Sequence, residues 1–449
     1  MKINVDFEKP CGKIKPMHAV GQPPLKGGFG TIDFTPMQDL KDAHIPYSRL
    51  HDVGGPFGSN LYVDIPNIFR DFDADETNPD SYDFAFTDLL IKALVGYGVE
   101  PYFRLGVTIE NRSFIKAYRI HPPKDYAKWA RICEHIVRHY NEGWANGFHF
   151  NIKYWEIWNE PENLEDAKLN PMWTGTPMQY YQLYDITAKH LKKCFGDKIK
   201  VGGYAATGFF AIFANPQKYG LDIERIEERY NNPREDYRMN FFFGFLDYIK
   251  ENKSPIDFFS WHTYSTVDVV SAEADFVDKV LNKYGYGDIE THLNEWNLSL
   301  DRNINKANSF ASANAMAMMI GMQHKKTDMI MYYDARYANV SAFAGFYDVV
   351  TFEPTCIYYA FKAFGELYAL ENEVECICPN DGVYALAAKN GDKKAIILSN
   401  IKEDVKVELN LTEDFYTFLI DKDNLMTRID LNTNDFILRE NTVVIIKNY

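Results

Sequence analysis

Two glutamates in this chain stand in closely similar surroundings. Tyr154-Trp-Glu-Ile-Trp-Asn-Glu-Pro161 carries Glu160 just before a proline, and His292-Leu-Asn-Glu-Trp-Asn-Leu-Ser299 carries Glu295, 135 residues later. Each closes an apolar, aromatic run of strand character. Two carboxyl groups at strand ends, one on either side of a pocket, can cleave a glycosidic bond. One donates a proton to the departing oxygen, while the other, ionised and about 5 to 5.5 Å away, attacks the anomeric carbon. Their environments must split the two pKa values. Desolvation and the partner's charge raise the acid, which falls again once the nucleophile is esterified and can then act as base for water. Asn159 is placed to hydrogen-bond a hydroxyl beside the reacting carbon, and Trp158 and Trp296 to wall the pocket. This chemistry requires no metal, and neither a metal nor any other cofactor is expected.

The elements that must position such a pair are strands alternating with amphipathic helices, the pattern of a parallel sheet covered by helices. Eight strand candidates fall at about 15–21, 45–52, 99–106, 152–160, 199–206, 256–265, 289–297 and 328–335. Between them, 124–142 repeats Tyr126, Trp129, Ile132, Cys133, Ile136, Val137 and Tyr140 at three- and four-residue spacing, so one helical face is buried. Eight such units predict a (β/α)8 barrel, in which sites form where strands end, and Glu160, His262 and Glu295 all fall at C-terminal strand ends. After about residue 370 the pattern changes to short runs with turn signals, among them the hairpin signal Asn390-Gly391. The expected division is a catalytic barrel over 14–370 and a small antiparallel β-sandwich over 371–449, completed by residues 1–13 with the alternating Ile3, Val5 and Phe7.

Composition excludes several other classes. The chain has 449 residues, enough for one large core and a smaller second one. Its formal charge of −15 and the lack of any Lys/Arg cluster argue against nucleic acid or an anionic membrane as partner. The segment beginning Met1-Lys-Ile-Asn lacks the apolar core of a signal peptide, so a cytoplasmic location is expected. The six cysteines lack the spacing of a zinc motif and read as reduced and structural. A small neutral oligosaccharide or glycoside fits such a surface. The long segment 209–240 could close the pocket or build a contact in a homo-oligomer.

At this point the residues carry a family resemblance. Trp158-Asn-Glu-Pro161 and Leu293-Asn-Glu-Trp-Asn297 resemble the acid/base and nucleophile signatures of clan A glycoside hydrolases. Tyr47-Ser-Arg-Leu-His-Asp52, the helix from Tyr82 to Tyr97 and Pro101-Tyr-Phe-Arg-Leu-Gly106 resemble glycoside hydrolase family 39, which contains β-xylosidases and α-L-iduronidases. The resemblance covers about 15–370 and implies a barrel with a flanking β-sandwich. It implies Glu160 as acid/base and Glu295 as nucleophile of a retaining double displacement. From Ser260-Trp-His-Thr-Tyr264 it implies that His262 contacts substrate and that Tyr264 hydrogen-bonds the nucleophile. One departure bears on the sugar. The clan commonly ends its eighth strand in a tryptophan platform, whereas this chain reads Met331-Tyr-Tyr-Asp-Ala-Arg336, leaving Tyr333 or Phe346 as replacement and Asp334 and Arg336 as added polar contacts.

Other residues have structural readings beside the functional one. Glu156 shares strand parity with Tyr154 and Trp158, so it should point into the barrel interior, where Arg49 and Arg104 would neutralise it. Arg49 could also order the catalytic acid. His51 and Asp52 either grip a terminal sugar hydroxyl or cap the Gly54-Gly55 turn, and Glu162, Glu165 and Asp166 are expected in a solvated loop. The expected activity is retaining, exo-acting hydrolysis of short plant-type oligosaccharides in the manner of a β-xylosidase. Two alternatives stay open: another sugar (an α-L-arabinofuranoside, β-galactoside or β-glucoside), and a non-catalytic carbohydrate-binding protein on the same fold.

Overall fold

The computed structural model of the chain describes residues 1–28, 31–53, 63–109, 120–221, 231–298, 307–336, 345–348, 350–379 and 382–449. Eight parallel strands close a barrel: β1 (Ala19–Gly21), β2 (Tyr47–Leu50), β3 (Glu100–Leu105), β4 (Tyr154–Ile157), β5 (Lys200–Ala206), β6 (Phe258–Tyr264), β7 (Glu290–Asn297) and β8 (Met329–Tyr332). The helices that follow them in turn are α1 (Met37–Asp42), α2 (Ala85–Gly96), α3 (Tyr126–Glu142), α4 (Pro177–Phe195), α5 (Pro233–Asn252), α6 (Val267–Tyr284), α7 (Ser309–Gln323) and α8 (Cys356–Leu370). Every expected strand is present, most a few residues shorter than the apolar run that signals it. Residues 222–230 of the long segment 209–240, and the Gly54-Gly55 turn, lie outside the described residues.

Local signals account for the helix limits. The Asp125 side chain accepts the Lys128 N–H at the start of α3, and Gly143 at φ 76° ends it. A reciprocal Thr176/Gln179 capping box with Pro177 in the first turn starts α4. On α3 the buried positions Trp129, Ile132, Cys133, Ile136, Val137 and Tyr140 form one stripe against the barrel. Each such side chain contributes roughly 1.5–3 kcal/mol by leaving water. Gly202 on β5 has no substitute of larger size, because a Cβ there would lie 2.1 Å from the Phe258 carbonyl oxygen of β6.

Inside the barrel, the end opposite the candidate glutamates is plugged by Ala19, Tyr102, Tyr154, Phe258, Met329 and Met331. Tyr102, Tyr154 and Phe258 pack ring against ring there, with His292 stacked on Phe258 at 4.8 Å. The interior above it is polar, and that change of character along one barrel axis sets where chemistry can occur.

The C-terminal part folds as a seven-stranded antiparallel sheet, at whose edge Asn4–Lys13 pairs with Asn372–Ile377. Asn390 and Lys393 close the hairpin that Asn390-Gly391 signals, with Gly391 at φ 57°. Strand alternation gives the sheet two apolar faces. Ala385, Ala387, Ile396, Leu398, Val444 and Ile446 pack with Ile3, Val407 and Phe436 under the two-stranded sheet formed by Val405–Glu408 and Asp435–Leu438. Leu386, Ala388, Ile397, Val443 and Ile445 belong instead to the barrel's own core, toward α7 and α8. No described helix is long and apolar enough to cross a membrane.

Candidate active site

Alternation on β2, β4 and β6 turns Arg49, Glu156, Ser260, His262 and Tyr264 to one side, where they meet residues of β7. Arg49 uses its whole guanidinium fork: Nε donates to Glu156 Oε2 at 2.7 Å, Nη1 to Glu295 Oε2 at 3.1 Å and Nη2 to Asn159 Oδ1 at 2.6 Å. The other oxygen of Glu156 accepts Ser260 Oγ at 2.6 Å and Asn294 Nδ2. Arg49, Glu156, Asn159 and Ser260 are all buried, so the charges are compensated where water cannot reach them. Arg104, expected to share Glu156, pairs instead with Asp64 (Nη2 to Oδ1, 2.7 Å), whose carboxylate also accepts the Thr108 N–H and hydroxyl. Asp64 arrives from the loop after β2, and strand parity says nothing about where a loop residue lands.

Glu160 stands on a strained turn. Trp158 and Glu160 have φ of 72° and 43°, a region that costs a non-glycine residue about 1–2 kcal/mol. The Trp158 N–H to Leu105 O (2.8 Å) and Glu160 N–H to Ala205 O (3.1 Å) hold the turn against both neighbouring strands. The carboxyl group so presented meets His262 Nδ1 at 2.8 Å and accepts Asn163 Nδ2 at 2.7 Å. Across the pocket, Glu295 accepts the hydroxyl of Tyr264 as well as Arg49, and His262 Nδ1 lies 3.7 Å from its Oε2. One oxygen of Glu160, one of Glu295 and a His262 nitrogen all lie within 4.8 Å of one another. Those atoms could hold a cation, but both oxygens of Glu295 are already engaged, one by the Tyr264 hydroxyl and the other by Arg49.

Burial raises both carboxyl groups, and their surroundings then separate them. On Glu160 the hydrogen bond and charge of His262, aided by Asn163, outweigh burial and bring the group below its ordinary value. Glu295 stays above its ordinary value, raised by burial and by the charge of Glu160 against the opposing effects of His262, Arg49 and Tyr264. A protonated His262 therefore draws the shared proton toward Glu295, the reverse of the split a double displacement starts from. With His262 neutral, its charge no longer favours an ionised Glu160, while Arg49 and Tyr264 still favour an ionised Glu295. Each carboxyl thus responds to the charge of the other as well as to the imidazole between them.

Around the pocket, Asp52 (φ 53°) accepts the Ile109 N–H at 3.0 Å, faces His51 Nε2 at 3.3 Å and accepts the Tyr333 hydroxyl at 3.3 Å. Burial pushes Asp52 up to about 7, and burial with the nearby Arg104 and Arg49 charges holds His51 well below its usual range. Tyr333 crosses Tyr264 edge to face at 6.3 Å, with the Arg336 guanidinium 5.7 Å from its ring centre. Arg336 in turn pairs with the buried Asp334 at 2.7 Å.

Four residues of this region lie elsewhere than expected. Trp296 does not line the pocket: it packs against Tyr332 and Phe361 in the helical layer, because an irregularity in β7 between Leu293 and Glu295 turns both Asn294 and Glu295 inward. Trp158 likewise lies behind the site, bonded to Met172 O and packed against Trp173, and Phe346 stacks on Tyr332 in the core, leaving Tyr333 as the eighth-strand aromatic at the pocket. Glu162 is buried rather than solvated and accepts the Thr207 N–H at 2.6 Å and hydroxyl at 2.9 Å, tying the loop after β4 to the loop after β5. Asn163, Asp64 and Glu162 are the contacts that sequence reasoning missed. Only Asn163 had a signal, its position three residues beyond Glu160.

Known proteins resemble this chain in sequence and in fold. The family model described as glycosyl hydrolases family 39 matches residues 1–292. Two curated β-xylosidases, from Geobacillus stearothermophilus and Caldicellulosiruptor saccharolyticus, are 25% and 26% identical over 217 residues, 46% of this chain and 36% of each relative's length. The chain thus matches little more than a third of those relatives. Among solved structures, a glucosidase from Croceicoccus marinus is similar with a TM-score of 0.76 at 21% identity, over 99% of this chain and 98% of that one. A monomeric β-xylosidase from Caulobacter crescentus has a TM-score of 0.68 at 18% identity, over 99% of both chains. At these identities the solved structures establish the shared fold.

Two consequences can be measured. Arg49→Met leaves Glu156 and Glu295 buried without their cation, and denaturant unfolding should show a loss of about 3–5 kcal/mol; a loss below about 1 kcal/mol would mean that the guanidinium is not their principal counter-charge. Asp52, Glu162 and Glu273 are pushed up by burial to about 7, about 7 and about 8. Because the folded values exceed the unfolded ones, the stability these groups contribute is full below the ordinary carboxyl values and is lost as pH rises through 7 to 8. Glu273→Gln, fixed in the neutral form, should flatten the fall in Tm over that range, and parallel slopes for the two proteins would contradict the assignment.

Proposed function

Because the chain belongs to glycosyl hydrolases family 39, we propose that it is a retaining glycosidase with Glu160 as acid/base and Glu295 as nucleophile. What carries the reading is the separation of the two carboxylates. One oxygen of each lies within 4.8 Å of the other, which favours the roughly 5–5.5 Å spacing of retaining enzymes over the roughly 6.5–9.5 Å of inverting ones. In this reading Glu295, steadied by Arg49 and the Tyr264 hydroxyl, attacks the anomeric carbon while Glu160 protonates the leaving oxygen. Glu160 then takes a proton from water as the glycosyl ester is hydrolysed. The fixed contacts at Glu160 suit the second step: His262 and Asn163 both stabilise its ionised form, the one that acts as base. Asn159, oriented by Arg49, faces the hydroxyl beside the reacting carbon. Catalysis belongs to the barrel, residues 14–370, with 371–449 and 1–13 as a separate β-sandwich domain.

For the sugar we propose a β-xyloside at the end of a short oligosaccharide, on the strength of the β-xylosidases that the chain resembles. The polar cluster His51, Asp52, Asp334 and Arg336 supports a second reading, a sugar with more hydroxyl contacts than xylose, such as a galactoside, glucoside or arabinofuranoside. Initial rates on a panel of aryl β-xylosides, α-L-arabinofuranosides, β-galactosides and β-glucosides should give the highest kcat/KM on the xyloside. A tenfold preference for any other sugar replaces the first reading with the second.

The catalytic roles have separate tests. With Glu295→Gly, an activated aryl glycoside and azide should yield a glycosyl azide of inverted configuration, and absence of rescue would remove Glu295 as nucleophile. Glu160→Ala should cost substrates with poor leaving groups at least about 100-fold more than activated ones, since only the former need protonation. Equal losses would exclude the acid role.

A further inference from the structure

Away from the pocket, α3 and α4 bring together three side chains with donor atoms of mixed softness. Glu134 lies on α3, and His190 and Cys194 lie one turn apart on α4. Glu134 Oε2 is 2.6 Å from His190 Nε2, which is 3.8 Å from Cys194 Sγ, and the three donor atoms all lie within 4.8 Å of one another. All three residues are half-buried, open enough for an ion to enter and shielded enough to hold it. A tetrahedral zinc site with metal–nitrogen, metal–oxygen and metal–sulfur bonds of about 2.0–2.3 Å spaces its donors about 3.3–3.7 Å apart. The nitrogen–sulfur pair already has nearly that spacing. The oxygen–nitrogen pair is closer because a shared proton occupies the place of the metal.

We propose that Glu134, His190 and Cys194 bind one Zn²⁺ ion, with water as fourth ligand, and that the ion fastens α3 to α4. Spacing of four residues puts the imidazole and the thiol on one face of α4, the arrangement that lets one helix supply two ligands. The second oxygen of Glu134 is held by Arg138 Nε at 2.8 Å, so the carboxylate is oriented from behind with Oε2 directed at His190. Charge also balances. Arg138 pairs with both Glu134 and Glu142, and with the ion bound, two carboxylates and a thiolate offset a divalent cation and one guanidinium. Binding moves the single imidazole proton of His190 from Nε2 to Nδ1, freeing Nε2 for the ion, and releases the thiol proton of Cys194 to solvent. Because the thiol must lose its proton to bind the ion, affinity should fall as pH is lowered.

The test uses Co²⁺ as a spectroscopic probe on the intact, metal-stripped protein. One equivalent should produce a thiolate-to-cobalt charge-transfer band and the visible absorption of a tetrahedral ion, both discharged by one equivalent of Zn²⁺. Cys194→Ser and His190→Ala should each weaken Co²⁺ binding at least tenfold, while Cys11→Ser should leave it unchanged. No thiolate band in the parent protein, or an undiminished band in Cys194→Ser, would overturn the proposal. A second measurement guards against misfolded variants: Zn²⁺ should raise the Tm of the parent protein and not that of Cys194→Ser, and an equal rise in both would also overturn it. Neither readout depends on the sugar or on the catalytic assignment.

Discussion

The arrangement around the pocket depends on a single buried cation. Arg49 reaches three acceptors that come from two different strands and one turn, Glu156 on β4, Glu295 on β7 and Asn159 beside Glu160. Taking an ion out of water costs several kcal/mol, and the cost is recovered only when the partners are fixed in good geometry. That requirement works in both directions. Glu156, Ser260 and Asn294 must be where they are to hold the guanidinium, and the guanidinium in turn fixes the far side of Glu295 and the amide of Asn159. Lysine would not serve, since a single ammonium cannot present three donors in a planar fork.

Above that layer the balance is closer. Glu160 and Glu295 share a small volume with one imidazole between them, and each carboxyl responds to the charge of the other as well as to His262. A pair so coupled titrates as a unit, and its behaviour belongs to the cluster rather than to either residue. Asn163, Tyr264 and Arg49 are neutral or permanently charged, so they bias the pair without titrating with it near neutral pH.

Much of the barrel was legible in the chain because its signals are periodic. The eight apolar runs, the stripe on α3 and the glycine-terminated helices follow from rules that need only neighbours in sequence. Glu160, His262 and Glu295 were legible as strand ends by the same counting, whereas Tyr264 entered only through the resemblance of Ser260-Trp-His-Thr-Tyr264 to the family's sixth strand. Counting fails where the chain departs from period two. The irregularity in β7 sends Trp296 outward, and the loop carrying Asp64 takes Arg104 away from Glu156. Glu162 was misread because a charged residue in a loop usually meets water, and only the fold reveals that Thr207 waits for it. The Glu134, His190 and Cys194 group escaped for a related reason: its members are 56 and 60 residues apart in sequence and meet only through helix packing.

The pairing of Asn4–Lys13 with Asn372–Ile377 separates the first strand from its partner by nearly the whole chain. During synthesis Asn4–Lys13 therefore has no partner strand until Asn372–Ile377 has emerged. Until then Ile3 and Val5, which end up in the sandwich core, stay exposed on a growing chain. The barrel strands between them pair mostly with neighbours in sequence and can assemble as they appear, except that β1 must wait for β8 to close the ring. Vectorial synthesis thus places ring closure and completion of this sheet late in the formation of the fold.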